Sequence, residues 1–245
     1  MRKVLLSLSL VFGPLLLAPP AYAVSYTGEA WLNWNTFQIS GIPIQTSFIY
    51  QQHIVGGFSG PSSGDGRYAD FPAWRNHTVT FSIPQVTTAV TSADSSRLYS
   101  AVTLFGSSVE QQGQAILNRS AFFTALDTGN LHVSIDYSLR QFGVRDGLGS
   151  NVDVTLILAR DVAGGDDIRS TASLPSVEGD GIRTGTLSLT QSIQRGEAWS
   201  FLAGTSVAAA NLSSSVPVPD MLWPTLVGMI GLAFYVERTR RKRVS

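Results

Sequence analysis

Between residues 24 and 215, apolar side chains recur at every second position, and this spacing constrains the fold more than any other feature of the chain. In the segment Leu131 to Leu139, the residues Leu131, Val133, Ile135, Tyr137 and Leu139 fall on one face of an extended strand. His132, Ser134, Asp136 and Ser138 fall on the other. Val152, Val154, Leu156 and Leu158 repeat the pattern, as do Val79, Phe81 and Ile83. Further strands are expected over 29–40, 44–54, 86–92, 97–105, 114–126, 184–192 and 198–208. Breaks rich in Gly, Asp and Ser separate them, among them Asp127–Asn130, read as a hairpin turn, Asp146–Gly149 and Gly164–Asp167. No helical stripe in this region lasts three turns. About ten short strands, each with one apolar face, predict an all-β domain: an antiparallel two-sheet β-sandwich, jelly-roll-like. No repeat of fixed period supports a solenoid or a propeller.

The two ends follow other rules. Residues 1–23 carry Arg2 and Lys3, an apolar run from Val4 to Leu17, and the small-x-small triplet Ala21-Tyr22-Ala23. These are the three parts of a signal peptide, with cleavage expected after Ala23. Pro14, Pro19 and Pro20 leave the run too broken to span a bilayer. At the other end, residues 213–220 form a linker rich in Ser and Pro, and 221–237 hold an uncharged apolar run, Met221 to Val236. That run would reach about 24 Å as a helix, enough for a thin or locally compressed bilayer. Arg238, Arg240, Arg241, Lys242 and Arg243 follow at once. This is a stop-transfer pattern: the basic tail, 238–245, stays in the cytoplasm, and the ectodomain, 24–212, lies on the far side of the inner membrane.

Val216-Pro217-Val218-Pro219-Asp220, then a short apolar helix, then an arginine cluster: this order resembles the C-terminal PEP-CTERM sorting segment of exported proteins. Such proteins occur in Gram-negative bacteria that make extracellular polysaccharide. The resemblance implies recognition by an exosortase-type membrane protease acting near the proline motif, in addition to signal peptidase. It also implies a non-enzymatic role in the envelope or extracellular matrix, with exopolysaccharide or biofilm as the surrounding material. The usual motif is Val-Pro-Glu-Pro, and here Val218 stands in place of the glutamate. Three stretches of the central region also resemble ectodomains that carry such tails: Asn33–Phe37, Gly129–Tyr137 and Arg195–Phe201.

Charge and composition narrow the function further. The region 24–215 holds ten arginines, no lysine and fifteen carboxylates, so it is net acidic and a poor partner for nucleic-acid phosphates. With no cysteine in the chain, disulfides, thiolate metal sites and a cysteine nucleophile are excluded. Gly204-Thr-Ser206 and Asp127-Thr-Gly129 resemble serine-protease segments. The only histidine between them, His132, lacks the expected surroundings, so a secreted hydrolase is the weakest reading. His53, His77 and His132 lack ligand spacing and read as strand residues. No cofactor is expected. Asp161, Asp166 and Asp167 in one loop, and Glu178 and Asp180 in another, are the carboxylates a structural calcium ion would use, although no ordered calcium-loop motif contains them.

One segment suggests a ligand. Gly56–Asn76 reads as a long loop carrying Phe58, Tyr68, Phe71 and Trp74, with Arg75 beside them. Flat rings beside polar groups suit sugars, so a carbohydrate-binding module is the alternative function. The competing expectation is that these aromatics cap the open edge of the core. Trp31 and Trp34 have opposite parity on one strand, which points one of the pair outward.

Overall fold

The computed structural model describes residues 24–59, 65–106, 110–160 and 167–211. Twelve strands fill most of this span: β1 (Val24–Ser40), β2 (Ile44–Ser59), β3 (Asp65–Phe71), β4 (His77–Ile83), β5 (Thr87–Ala93), β6 (Arg97–Phe105), β7 (Gln111–Ala125), β8 (Gly129–Phe142), β9 (Leu148–Arg160), β10 (Asp167–Pro175), β11 (Gly181–Ile193) and β12 (Ala198–Asn211). A short 3-10 turn, Ser176–Glu178, follows β10. The strands form two six-stranded antiparallel sheets. The first runs β11-β8-β1-β6-β5-β4 and the second β10-β9-β12-β7-β2-β3.

Period-two spacing produces the two layers. In β7, burial alternates without a break from Gln111 to Ala125, so one set of side chains points into the sandwich and the other out. Leu32, Leu104, Leu131, Val133 and Ile135 of the first sheet face Val55, Leu117, Phe123, Val154, Leu156 and Val207 of the second in one continuous core. Burying each of these larger side chains contributes roughly 1.5–3 kcal/mol, which lets the sandwich do without cross-links. Among the described residues, no helix is long and apolar enough to cross a membrane.

The connections differ from the expected pattern in three places. Gly56–Asn76 is not one loop: Gly56–Ser59 continue β2, and Asp65–Phe71 return beside it as β3, with Val55 opposite Arg67 and Gln51 opposite Phe71. Residues 127–130 are not a hairpin turn. β7 pairs with β2 and β12, whereas β8 pairs with β1 and β11, so the chain crosses from one sheet to the other there. The Asp127 carboxylate accepts the Thr128 N–H at 2.8 Å and turns the corner. A Gly- and Asp-rich break serves an inter-sheet arch as well as a hairpin, because both need tight backbone and local side-chain capping. Finally, β10 was not expected. It is an edge strand against β9, with Asp167, Arg169 and Thr171 exposed, and its own alternation is weak.

β1 changes course after Asn33. Its register with β8 shifts between Asn33 and Gln38, so residues 34–37 bulge. Thr36 Oγ1 donates to the Asn33 carbonyl at 2.9 Å and accepts the Asp136 N–H at 2.9 Å, pinning the bulge to β8. The bulge rolls Trp34 and Phe37 over one end of the core, stacked at 4.5 Å, with Phe37 5.0 Å from Phe201. Trp31, before the bulge, stays on the outer face beside the buried Leu32.

Candidate functional site

The five aromatic and basic residues expected on the 56–76 loop do not share one exposed surface. Phe71 is buried and Trp74 packs against the core. The indole N–H of Trp74 is shared between the Tyr50 and Ser120 carbonyls at 3.2 and 3.1 Å, and its ring meets Trp34 edge-on at 5.1 Å. Arg75 lies over the Phe71 ring at 3.4 Å. These residues close the end of the sandwich, which was the competing expectation. Tyr68, 60% exposed, and the half-buried Phe58 remain on the surface. They line an open trough of about 360 Å³ with Asp65, Arg67, Gln112 and Gln114. The Tyr68 hydroxyl donates to Asp70 and accepts from Gln52 Nε2 at 3.0 Å.

Beneath that closed end lies a buried polar cluster. Arg119 sits on the inward parity of β7, only 3% exposed. Its Nε donates to Gln51 Oε1 at 2.9 Å and its Nη2 to the Asp94 carbonyl at 3.0 Å, and its guanidinium lies 4.9 Å from the Trp34 ring. Burial pushes its pKa down to about 10, which still leaves it charged at neutral pH. Gln51 also accepts the Arg75 N–H at 3.2 Å and donates to the Arg75 carbonyl at 3.0 Å. Its second Nε2 proton points at His53 Nε2, 2.8 Å away. That bond makes Nε2 the acceptor, so the His53 proton sits on Nδ1 and is donated to Thr91 Oγ1 at 3.0 Å. Burial first, then the nearby His77, Arg119 and Arg75, lower the His53 pKa to about 4. Gln51, His53, Thr91 and Arg119 are themselves buried, so the cluster is a hydrogen-bonded structural core rather than a surface site.

The outer face of the first sheet holds a different group. The register sets Trp31 opposite Tyr99, Glu29 opposite Arg140 and Asn33 opposite Arg97. Glu29, Trp31, Arg97, Tyr99 and Arg140 line a depression of about 350 Å³. A second depression, of about 240 Å³, shares Trp31 and Arg97 and reaches Asn33 and Asn35. The Tyr99 hydroxyl donates to Glu29 Oε1 at 3.1 Å, and Arg140 Nη1 lies 3.6 Å from Glu29 Oε2. Burial, reinforced by Glu29, pushes the Tyr99 phenol up to about 12, so it stays a donor at any physiological pH. Sequence spacing marked one of Trp31 and Trp34 as outward but could not place Tyr99 opposite it, because strand register is not local information.

Other expected residues are scattered or paired. Ser206 points outward from the middle of β12, opposite Ile116 and Asp153. His132 points outward from β8 in the other sheet and meets Thr190 at 3.0 Å. With Asp127 at an exposed corner, these three residues do not form a hydrolase triad. Asp167 pairs with Arg169, Glu178 with Arg183, and Asp180 accepts the Val144 N–H at 2.7 Å. Among the described residues, no group of three or more His, Asp or Glu is placed to hold a metal ion. Asp161 and Asp166 lie outside the described residues, as do Ala21 and Ala23, the motif Val216–Asp220, the apolar run 221–237 and the basic residues 238–243. No family model matches the chain, and no curated protein is significantly similar to it.

Proposed function

We propose that the chain is a non-enzymatic exported protein of the cell envelope or extracellular matrix, carrying a PEP-CTERM-like sorting and anchoring signal. In this reading, signal peptidase removes residues 1–23 and the segment 221–237 holds the protein in the inner membrane. Arg238, Arg240, Arg241, Lys242 and Arg243 stay in the cytoplasm, and an exosortase-type protease acts near Val216–Asp220. The sandwich is displayed outside, in the company of exopolysaccharide or biofilm material.

One observation carries this reading: the described residues between the two apolar ends build both sheets and one continuous core of their own. That core draws its buried side chains from residues between Tyr26 and Ala209. A body of this kind suits display on the far side of a membrane, with the apolar ends left to export and anchoring. The absence of cysteine adds that its folding needs no oxidative step after export.

Intact mass of the protein recovered from its own cells tests both ends in one measurement. The expected species begins at Val24 and ends between Val216 and Asp220. A mature population that keeps Arg238–Ser245 throughout would remove the sorting step and leave a simple anchor. Mature protein that still begins at Met1 would remove export by a cleaved signal.

A further inference from the structure

We propose that the outer face of β1, β6 and β8 is a binding site for a short, neutral pyranose oligosaccharide, with Trp31 as its stacking platform. The inference is independent of how the chain is sorted, and it places the sugar contact on the sheet opposite the Tyr68 trough.

Three features of the site point to this ligand class. The first is an outward aromatic pair. Trp31 and Tyr99 are direct cross-strand partners on a face where most neighbouring side chains are short or polar, and neither ring is covered by another strand. An apolar ring face beside polar edges suits the C–H face of a pyranose, which carries its hydroxyls around the rim.

The second feature is pre-ordered polar groups. Arg140 lies over the Trp31 ring at 5.4 Å and Arg97 over Tyr99 at 5.5 Å. Each guanidinium is also tied to a carboxylate, Arg140 to Glu29 at 3.6 Å and Arg97 to Asp94 at 3.4 Å. Ring and carboxylate together restrict the long arginine side chains before any ligand arrives, which lowers the ordering cost of binding.

The third feature is charge balance, which separates sugars from anions. Glu29 lines the depression and pairs with Arg140, and Asp94 pairs with Arg97 just outside it, so both cations are matched and little unbalanced charge is left to draw in a carboxylate or phosphate. A guanidinium beside a carboxylate does offer a donor next to an acceptor. Two adjacent sugar hydroxyls match that arrangement, one accepting from the arginine and the other donating to the acid. At about 350 Å³, the main depression is at the small end of ligand sites, and the adjoining hollow by Asn33 and Asn35 extends it along β1. The geometry therefore suits a few sugar units laid along β1.

The test is calorimetric titration of the full chain, purified in a zwitterionic detergent that has no sugar headgroup. Cellohexaose and mannohexaose are the neutral probes and hexagalacturonate is the anionic one. At least one neutral hexaose is expected to bind saturably, with affinity reduced about tenfold or more by Trp31→Ala and severalfold by Arg140→Met. Circular dichroism checks that each variant keeps its strands. If Trp31→Ala fails to fold, Arg140→Met and Tyr99→Leu carry the comparison, because both sites lie on the outer face. The proposal is overturned if the wild-type chain binds neither neutral hexaose, or if it prefers hexagalacturonate to both. Loss of binding in Tyr68→Ala, with Trp31→Ala unaffected, would move the contact to the other sheet and overturn it as well.

Discussion

Gln51 uses all four hydrogen-bonding positions of its side-chain amide inside the core, and this fixes the protonation of its neighbour. Both amide protons are directed, one to the Arg75 carbonyl and one to His53 Nε2, while the oxygen takes Arg119 Nε and the Arg75 N–H. A protonated His53 would turn a second N–H toward the Gln51 amide protons, donor against donor, with Arg119 and His77 close by. The native state therefore holds His53 neutral, with its pKa lowered to about 4 from an ordinary 6.5. Unfolding releases it to titrate normally. Between those two values the unfolded chain binds a proton that the folded chain does not, so stability is full above pH 6.5 and falls on acidification toward pH 4. The loss amounts to about 2 kcal/mol between pH 7 and pH 5, at about 1.4 kcal/mol per pH unit. Urea unfolding at those two pH values measures it. His53→Gln should lower stability overall and flatten this slope, and an unchanged slope in that variant would assign the acid sensitivity elsewhere. The cluster left a partial trace in the sequence. Arg119 falls in step with Leu117 and Ala121, a charge on an apolar parity, but the partners that neutralise its cost come from β2 and the turn before β6.

At the level of elements, the strands whose inner faces are rich in Leu, Ile and Val were legible. The two edges of the second sheet, β3 and β10, were not, although the edges of the first, β4 and β11, were read from Val79–Ile83 and 184–192. β8 and β9 are read correctly from Leu131–Leu139 and Val152–Leu158 because both lie inside their sheets and alternate strongly. β3 and β10 are edges, where half the residues meet solvent and the constraint on side-chain type relaxes. The turns hid their destinations for a related reason: tight-turn chemistry reports that the chain reverses, not which strand it will pair with. The connection from β1 to β2 shows how strict such a corner can be. Gly41 has φ of +106°, and a Cβ there would fall inside the van der Waals shell of the Asn130 carbonyl oxygen at the start of β8. Backbone cannot yield as a flexible side chain would. Gly41→Ala is expected to destabilise the sandwich by roughly 3 kcal/mol, from left-handed strain plus the clash. Chemical denaturation reads this directly, and a cost under about 1 kcal/mol would mean the corner can relax.

On the scale of the whole molecule, two kinds of charge meet at opposite ends of one chain. The region 24–215 is net acidic and lysine-free, whereas five cations crowd into positions 238–243 after an uncharged run. In the proposed topology, a β-sandwich that folds on the far side of a membrane gains nothing from those cations, whereas the apolar run before them does. There, the cost of carrying each one through hydrocarbon, about 2.5–3.5 kcal/mol at the bilayer centre, would hold the tail on the side of synthesis. The proposed topology therefore predicts opposite behaviour for two reporters fused after Ser245: a fluorescent protein that folds only in the cytoplasm is bright, and a phosphatase that works only after export is inactive. Replacing Arg238, Arg240, Arg241, Lys242 and Arg243 by glutamine removes that barrier. The 16 or so apolar residues before them are then too short to hold alone, and a larger share of the protein leaves the membrane fraction. An active phosphatase on the unaltered chain would place the tail outside, and the sandwich would then have to face the cytoplasm or reach the exterior by another route.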